Sequence, residues 1–348
     1  MRVESDPTTD VGAVRAAIID WYAGAARSLP WRATPGSDHR PGPYHVWLSE
    51  VMLQQTTVAA AHPYFERFIA RWPCVEALAA ADDADILAAW AGLGYYSRAR
   101  NLILTARHVA EALGGAFPSD VAALRALPGI GDYTAAAIAA FAFGADSIPL
   151  DANLERVIAR LFGVVTPLPQ AREALRQHAR TLWPATRGGD FAQALMDLGA
   201  RICAARRPAC ALCPVSTHCA ALKGGLADRI PVKPAKKARP ERHGRAQWIV
   251  RDDAVWLVRR PTKGMLGGMR ALPDSVWTDE PLPPSSQHQP LGTVRHIFTH
   301  FALTLAVDAA PAVTAAGDGE WWPVKALDDA GLPTLYRRAA TLALASDQ

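Results

Sequence analysis

The chain has 348 residues, half of them hydrophobic, and a formal net charge of only +4. That length exceeds one ordinary core and suits two domains, and no run approaches the roughly 20 apolar residues of a bilayer crossing, so a globular protein is expected and a membrane protein is not. The first ten residues, MRVESDPTTD, carry acids and no apolar stretch, so they do not read as a secretory signal, and a cytoplasmic location is expected. From Val11 to about Leu222, Ala-rich stretches place apolar residues at spacings of three and four and are broken by Pro and Gly, which predicts helices almost throughout.

Several helical stretches carry residues that do chemistry elsewhere. Glu50, in WLSEVMLQQT, is crowded by Trp47, Leu48, Val51, Met52 and Leu53. Desolvation there would raise its carboxyl toward neutrality, as a general acid requires; by periodicity alone it reads as an exposed helical glutamate. GLGYYSRARNL interleaves Tyr95 and Tyr96 with Arg98 and Arg100, aromatics beside phosphate-seeking charge. Core aromatics and a surface arginine are the alternative, for Tyr96 and for Trp31 in particular. The segment from Ser119 to Leu127 is predicted helical with Ser119 as N-cap and is stopped by Pro128 and Gly129. In the following turn, LPGIGDYT, Gly129 and Gly131 permit positive φ and a bare backbone, so amides opening the next helix can approach a phosphate. Any corner between two helices could use such a turn. Asp151 opens a predicted helix to Leu161 as its N-cap, with Leu154, Val157, Ile158 and Leu161 on one face.

Four of the five cysteines, Cys203, Cys210, Cys213 and Cys219, fall in CAARRPACALCPVSTHC with spacings x6, x2 and x5. In a chain without an export signal this implies a metal or cluster in preference to disulfides, and spacing alone leaves zinc and iron–sulfur both open. Cys74 stands apart and reads as a buried small hydrophobe. Between Lys223 and Arg245 eight Lys or Arg face two acids, a stretch that attracts polyanions or serves as a solvated linker. Beyond it, QWIVRDDAVWLVRR alternates around Asp252 and Asp253 as a hairpin does, GTVRHIFTHFALTLAV predicts a second strand pair, and LPTLYRRAATLAL predicts a closing helix, an α+β pattern.

The cysteine spacing is similar to the 4Fe-4S loop of endonuclease III and MutY glycosylases. With the LPGIGDYT turn upstream, residues 11–222 resemble the helix-hairpin-helix DNA glycosylase superfamily, and WLSEVMLQQT and GLGYYSRARNL resemble its MutY branch. That resemblance implies a multi-domain fold class. An all-α helix-hairpin-helix glycosylase domain with an iron-sulfur cluster loop (1–222) precedes a basic interdomain linker (223–245) and an α+β Nudix (MutT)-like domain (246–348). It implies one 4Fe-4S cluster on the four cysteines, with Arg206 and Arg207 meeting the DNA backbone.

For the site, the resemblance implies that Glu50 protonates adenine at N7 and that Asp151 stabilises the cationic sugar, a logic close to glycoside hydrolysis. Asn153 is implied near the sugar. Tyr95 is implied as the wedge beside the extruded base and Gln55 as its companion, while LPWR, ending at Arg32, resembles the adenine-pocket segment. Tyr133 stands where lyases of the superfamily place a Schiff-base lysine, so base removal without strand cleavage is implied. Phe298, Thr299 and His300 match a motif, usually Phe-Ser-His, that contacts oxidised guanine, and GMLGGMRALP approximates the Gly-rich Nudix loop. The magnesium-holding glutamate array of Nudix hydrolases is missing, so this domain is expected to bind and not to hydrolyse. The implied partner is duplex DNA with adenine opposite 8-oxoguanine or guanine, met by a monomer associated with the nucleoid. The competing readings are a pyrimidine-lesion or thymine-mismatch glycosylase and a non-catalytic iron–sulfur protein that marks mispairs.

Overall fold

The computed structural model describes residues 10–232, 234, 238–261 and 264–346. The first nine residues and Lys233, Lys236 and Lys237 of the basic run lie outside the described residues. Twelve helices come first among them: α1 Val11–Ala25, α2 Pro43–Leu53, α3 Val58–Arg71, α4 Val75–Ala79, α5 Asp83–Ala89, α6 Ser97–Ala112, α7 Val121–Arg125, α8 Asp132–Ala142, α9 Ala152–Leu161, α10 Arg172–Leu182, α11 Gly188–Arg201 and α12 Ala220–Lys223. Six strands follow, β1 Glu241–Arg251, β2 Ala254–Arg259, β3 Arg270–Ala271, β4 Gln289–Ile297, β5 Ala302–Ala310 and β6 Gly319–Pro323, and α13 Thr334–Ser346 ends the chain. None of these helices is long and apolar enough to cross a membrane.

The chain divides into two compact units, 1–80 with 104–235 and 81–103 with 236–348. Residues 81–103, read from sequence as part of the first domain, thus group with the C-terminal part, and the division falls within α6. In the first unit α8 is buried on nearly all sides from Thr134 to Phe141, because its run of alanines leaves no bulk to hold neighbours off. Helix α2 starts with a proline at its first turn and is likewise buried from Val46 to Met52. Helix α9 buries Leu154, Val157, Ile158 and Leu161, the face its spacing predicts. Fully burying each such aliphatic side chain contributes roughly 1.5–3 kcal/mol.

Some boundaries differ from expectation. Asp120, and not Ser119, caps α7, its Oδ1 accepting from the Ala123 amide at 3.0 Å, since a carboxylate one residue later reaches the same free donors. Cys74 is exposed and is the N-cap residue of α4, so it is not a core hydrophobe. The segment read as linker is partly structured: Ile230 is buried, and β1 already begins at Glu241 because it pairs with β5 from that residue onward.

The second unit holds a mixed sheet in the order β3-β2-β1-β5-β4, with β6 on β2. Strands β1 and β5 run parallel and the other pairs antiparallel. The β1–β2 hairpin turns at Asp252 and Asp253, both at positive φ (49° and 57°), the two-residue geometry that fits strand twist. Helix α13 covers the sheet with Leu335, Tyr336, Ala339, Ala340 and Ala343.

Candidate functional site

In the first unit an open cavity of about 990 Å³ gathers residues from four elements: Trp31 and Arg32 before α2, Glu50 on α2, Tyr133 on α8, and Asp151 and Asn153 at the start of α9. Glu50 is only 6% exposed. Burial pushes its carboxyl from 4.5 up to about 7; a hydrogen bond with Tyr133 and the nearby Arg32 charge draw it down, and Asp151 raises it further. Burial, with both carboxylates beside it, holds the Tyr133 phenol well above its usual range, so it stays protonated and can donate to Glu50.

Asp151 serves as the N-cap that its position predicts. Its Oδ1 accepts from the amides of Asn153 (2.9 Å) and Leu154 (2.7 Å), and its Oδ2 accepts from the Asn153 side chain at 2.7 Å. Burial raises its pKa, opposed by these bonds and by Arg156. Cap and cavity-lining carboxylate are one group here, because the helix start offers both amides and a favourable dipole to a charged oxygen. Asn153 is fixed in turn: its Oδ1 accepts from Arg156 at 2.9 Å, and Arg156 also donates to the Gly199 carbonyl and, at 2.7 Å, to that of Cys203.

Sequence reasoning passed over Asp197. It is fully buried on α11, where its Oδ1 accepts from Arg27 Nε and Arg32 Nη1, both at 2.8 Å. Burial would raise its pKa, but the two guanidinium groups outweigh it and hold the carboxyl below its ordinary value. Arg32 is therefore a paired pocket wall, not a free cation. The available signal was a lone acid in an otherwise apolar run, Ala194-Leu195-Met196-Asp197-Leu198, which demands buried partners.

The glycine turn lines the same cavity. Gly129 has φ 71°, as expected, but Gly131 has φ −91° and ψ −180°, an extended residue at the N-cap position of α8. The expectation of two left-handed glycines is corrected to one. Nothing lies within 4 Å of where a Gly131 side chain would begin, so the α8 start is bare on that side. Thr105 hydroxyl donates to the Pro128 carbonyl and anchors the turn. Gln55, exposed at φ 58° just after α2, lines the cavity as well.

In the second unit Tyr95 is 47% exposed at φ 48° and lines a cavity of about 580 Å³ together with Phe298, Thr299 and His300. These last three form the β4–β5 connection and not a strand. Phe298 packs on Trp277 (ring centroids 5.4 Å apart), while Thr299 and His300 are exposed. Arg98 departs from its predicted role as a phosphate contact. It is 7% exposed, donates to the carbonyls of Leu93 (3.0 Å) and Gly94 (3.2 Å) and lies over the Trp90 and Tyr95 rings. Burial lowers its pKa to about 10, and its charge props the turn that presents Tyr95. Tyr96 and Trp31 are both buried.

The four cysteines occupy a loop with short 3₁₀ turns at Cys210–Leu212 and Ser216–His218. Burial pushes the Cys213 thiol up to about 11, and the Cys203, Cys219 and Cys210 thiols add to it. Arg160 on α9 donates to Cys203 Sγ at 3.2 Å, and Cys219 Sγ donates to the Arg160 carbonyl. Among the described residues no three or more His, Cys, Asp or Glu side chains stand in metal-ligating geometry. The donor set nevertheless fits a thiolate-bound group: four thiols come from one loop, those of Cys210, Cys213 and Cys219 feel the charge of Cys203, and the Arg160 guanidinium offsets it at Cys210. Arg206 and Arg207 are exposed on the same loop.

Residues 48–185 match the HhH-GPD superfamily of base excision DNA repair proteins, and residues 245–342 match the NUDIX domain. An adenine DNA glycosylase of Mus musculus is 33% identical over 94% of this chain and 77% of its own length. One from Buchnera aphidicola subsp. Schizaphis graminum is 31% identical over 91% of this chain and 94% of its own. A solved thermostable thymine-DNA glycosylase superposes with a TM-score of 0.55 and 30% identity, covering 62% of this chain and 97% of that one. That solved relative, named for thymine, covers 62% of this chain, whereas the relatives named for adenine extend over nearly the whole of it, and the chain belongs to the adenine DNA glycosylase (MutY) family.

Proposed function

We propose that this protein is an adenine DNA glycosylase of base excision repair that removes adenine opposite 8-oxoguanine or guanine and leaves an abasic site. The observation that carries this reading is the buried Glu50–Tyr133 pair beside Asp151 in one cavity. Adenine leaves readily only when its ring nitrogen is protonated, and a carboxyl raised to about 7 keeps a protonated fraction available at neutral pH, which an ordinary glutamate does not. Glu50 delivers that proton to N7 of the flipped base, and the C1'–N9 bond breaks with its electron pair going to adenine. Asp151, its oxygens fixed by Asn153 and Leu154, stabilises the oxocarbenium-like sugar until water adds. Tyr133 donates to Glu50 as it turns anionic. A phenol cannot form a Schiff base, so strand cleavage is left to another enzyme.

The turn at Gly129 and Gly131 receives a backbone phosphate, Tyr95 and Gln55 fill the gap left by the flipped base, and Phe298, Thr299 and His300 meet the opposite base. Cys203, Cys210, Cys213 and Cys219 would hold a 4Fe-4S cluster, which when bound supplies metal–thiolate bonds that brace the loop bearing Arg206 and Arg207. The C-terminal domain binds DNA without hydrolysing nucleotides. A chromosomal substrate agrees with a cytoplasmic, nucleoid-associated monomer.

The deciding measurement is single-turnover incision, after alkali, of duplexes with A opposite 8-oxoguanine, A opposite G, T opposite G, or thymine glycol. Cleavage is expected for the two adenine duplexes. Rapid cutting of the thymine glycol duplex, with borohydride trapping of the enzyme, would overturn the reading in favour of a lyase.

A further inference from the structure

One carboxylate in the second unit ties together both loops that line the Tyr95 cavity. Asp274 Oδ2 accepts from Arg260 Nη1 (2.5 Å), Trp277 Nε1 (2.9 Å) and the Tyr336 hydroxyl (2.7 Å). Tyr336 is fully buried in the α13 interface, so the carboxylate is pinned to the core of the unit. Its other two partners lead outward. Arg260 Nε donates to the Met265 carbonyl at 3.1 Å, and the Arg260 backbone exchanges bonds with Met269 and Gly268, so this residue grips the 264–269 loop at three points. Trp277 carries Phe298 on its ring, and the Arg260 guanidinium lies 4.8 Å from the centroid of that ring.

Gly264, Met265 and Leu266 of one loop and Phe298, Thr299 and His300 of the other face the same cavity. The first loop needs an external hold, because Leu266 sits at φ 57°, a conformation that a branched side chain adopts only under constraint. An ionised acceptor shared by three donors supplies such a hold, and its charge-assisted bonds fix direction as well as distance.

We propose that Asp274 is the positioning residue of the opposite-base pocket, holding the 264–269 loop through Arg260 and the Phe298–His300 loop through Trp277, and thereby setting the preference for 8-oxoguanine over guanine. This rests on the adenine glycosylase reading above. Asp274 touches no substrate; its effect passes through the two loops, and a loosened pocket loses its ability to tell two guanines apart before it loses either one.

The test measures single-turnover adenine release from A:8-oxoguanine and A:G duplexes by the full-length protein, with rates normalised to active enzyme by titration. Loss of folded protein then lowers neither rate, and the ratio of the two reports the pocket alone. Asp274→Asn is expected to reduce that ratio about tenfold, the size of effect of a lost charge-assisted hydrogen bond. Trp277→Phe keeps a ring against Phe298 but removes the donor to Asp274, and about a threefold reduction is expected. If Asp274→Asn does not fold, Trp277→Phe decides. An unchanged ratio in Trp277→Phe, or in a folded Asp274→Asn, overturns this proposal alone. No adenine release by the unaltered protein from either duplex overturns the underlying reading and this proposal with it.

Discussion

A carboxyl with a pKa near 7 is partly charged at neutral pH, which for Glu50 has both a use and a cost. The unfolded glutamate ionises near 4.5, whereas the folded one keeps its proton to about 7. Between those values the folded chain binds more protons than the unfolded one. The stabilisation is therefore full below pH 4.5 and is lost as pH rises through 7, a difference of about 3 kcal/mol. Glu50→Gln is neutral throughout, so in urea unfolding it should exceed the unaltered protein by up to about 3 kcal/mol at pH 8 and match it near pH 4. The same variant should release no adenine, and the unaltered protein's excision should fall as pH climbs above 7. An identical stability difference at both pH values would show that Glu50 is not buried as a neutral acid. Glu50 and Asp151 were legible because each stands in a string of neighbours resembling a known one. Arg156 was not, since its carbonyl partner lies 47 residues away, and for Asp197 the apolar run around it marks a buried acid but not its partner Arg32, 165 residues away in sequence. Arg98 misled for the opposite reason: its neighbours are polar and aromatic, as at a DNA surface, yet the Leu93 and Gly94 carbonyls and the Trp90 ring hold it in the interior.

At the scale of elements, the start of α9 holds its place because α11 approaches it where a side chain is missing. A Cβ added to Gly199 would lie 2.7 Å from the Asn153 Cβ and 3.2 Å from its backbone, too close for either helix to stay put. The Gly199 carbonyl also accepts from Arg156, which holds the Asn153 side chain. Gly199→Ala is thus expected to cost about 1–3 kcal/mol of stability and, by moving Asn153 away from Asp151, to slow adenine release at saturating DNA far more than it weakens duplex binding. Normal single-turnover rates in a destabilised Gly199→Ala would show that the contact only packs helices. Elements with strong local signals were read well: the Asp252–Asp253 hairpin, the β4–β5 pair, α9 with its cap, and α13. The parallel pairing of β1 with β5 was not foreseen, because the partners lie about 60 residues apart and each strand alternates as any hairpin strand would. The same pairing draws the strand start back to Glu241, into a stretch whose charge and prolines spoke for a linker.

At the scale of the molecule, the two units divide the labour along lines that the chain order hides. Glu50, Tyr133 and Asp151 belong to the unit made of 1–80 and 104–235, whereas Tyr95 belongs with residues 236–348. Its turn is part of a second-unit cavity, and Arg100, five residues on, donates to the Gly267 carbonyl at 2.8 Å. Truncation after Pro234 therefore removes more than an appended reader. It leaves Glu50 and Asp151 in place but strips residues 94–100 of the loops that they share a cavity with. Such a truncated protein should still release adenine from an A:G duplex, because no group of the proposed chemistry is lost. Its preference for 8-oxoguanine should disappear, and amide hydrogen exchange should accelerate in 94–103 while α8 and α9 keep their protection. Unaltered exchange in 94–103 would mean that this segment is held by the helices alone. In that case the wedge and the opposite-base loops would act independently, and the truncated chain should lose its preference without any change at Tyr95.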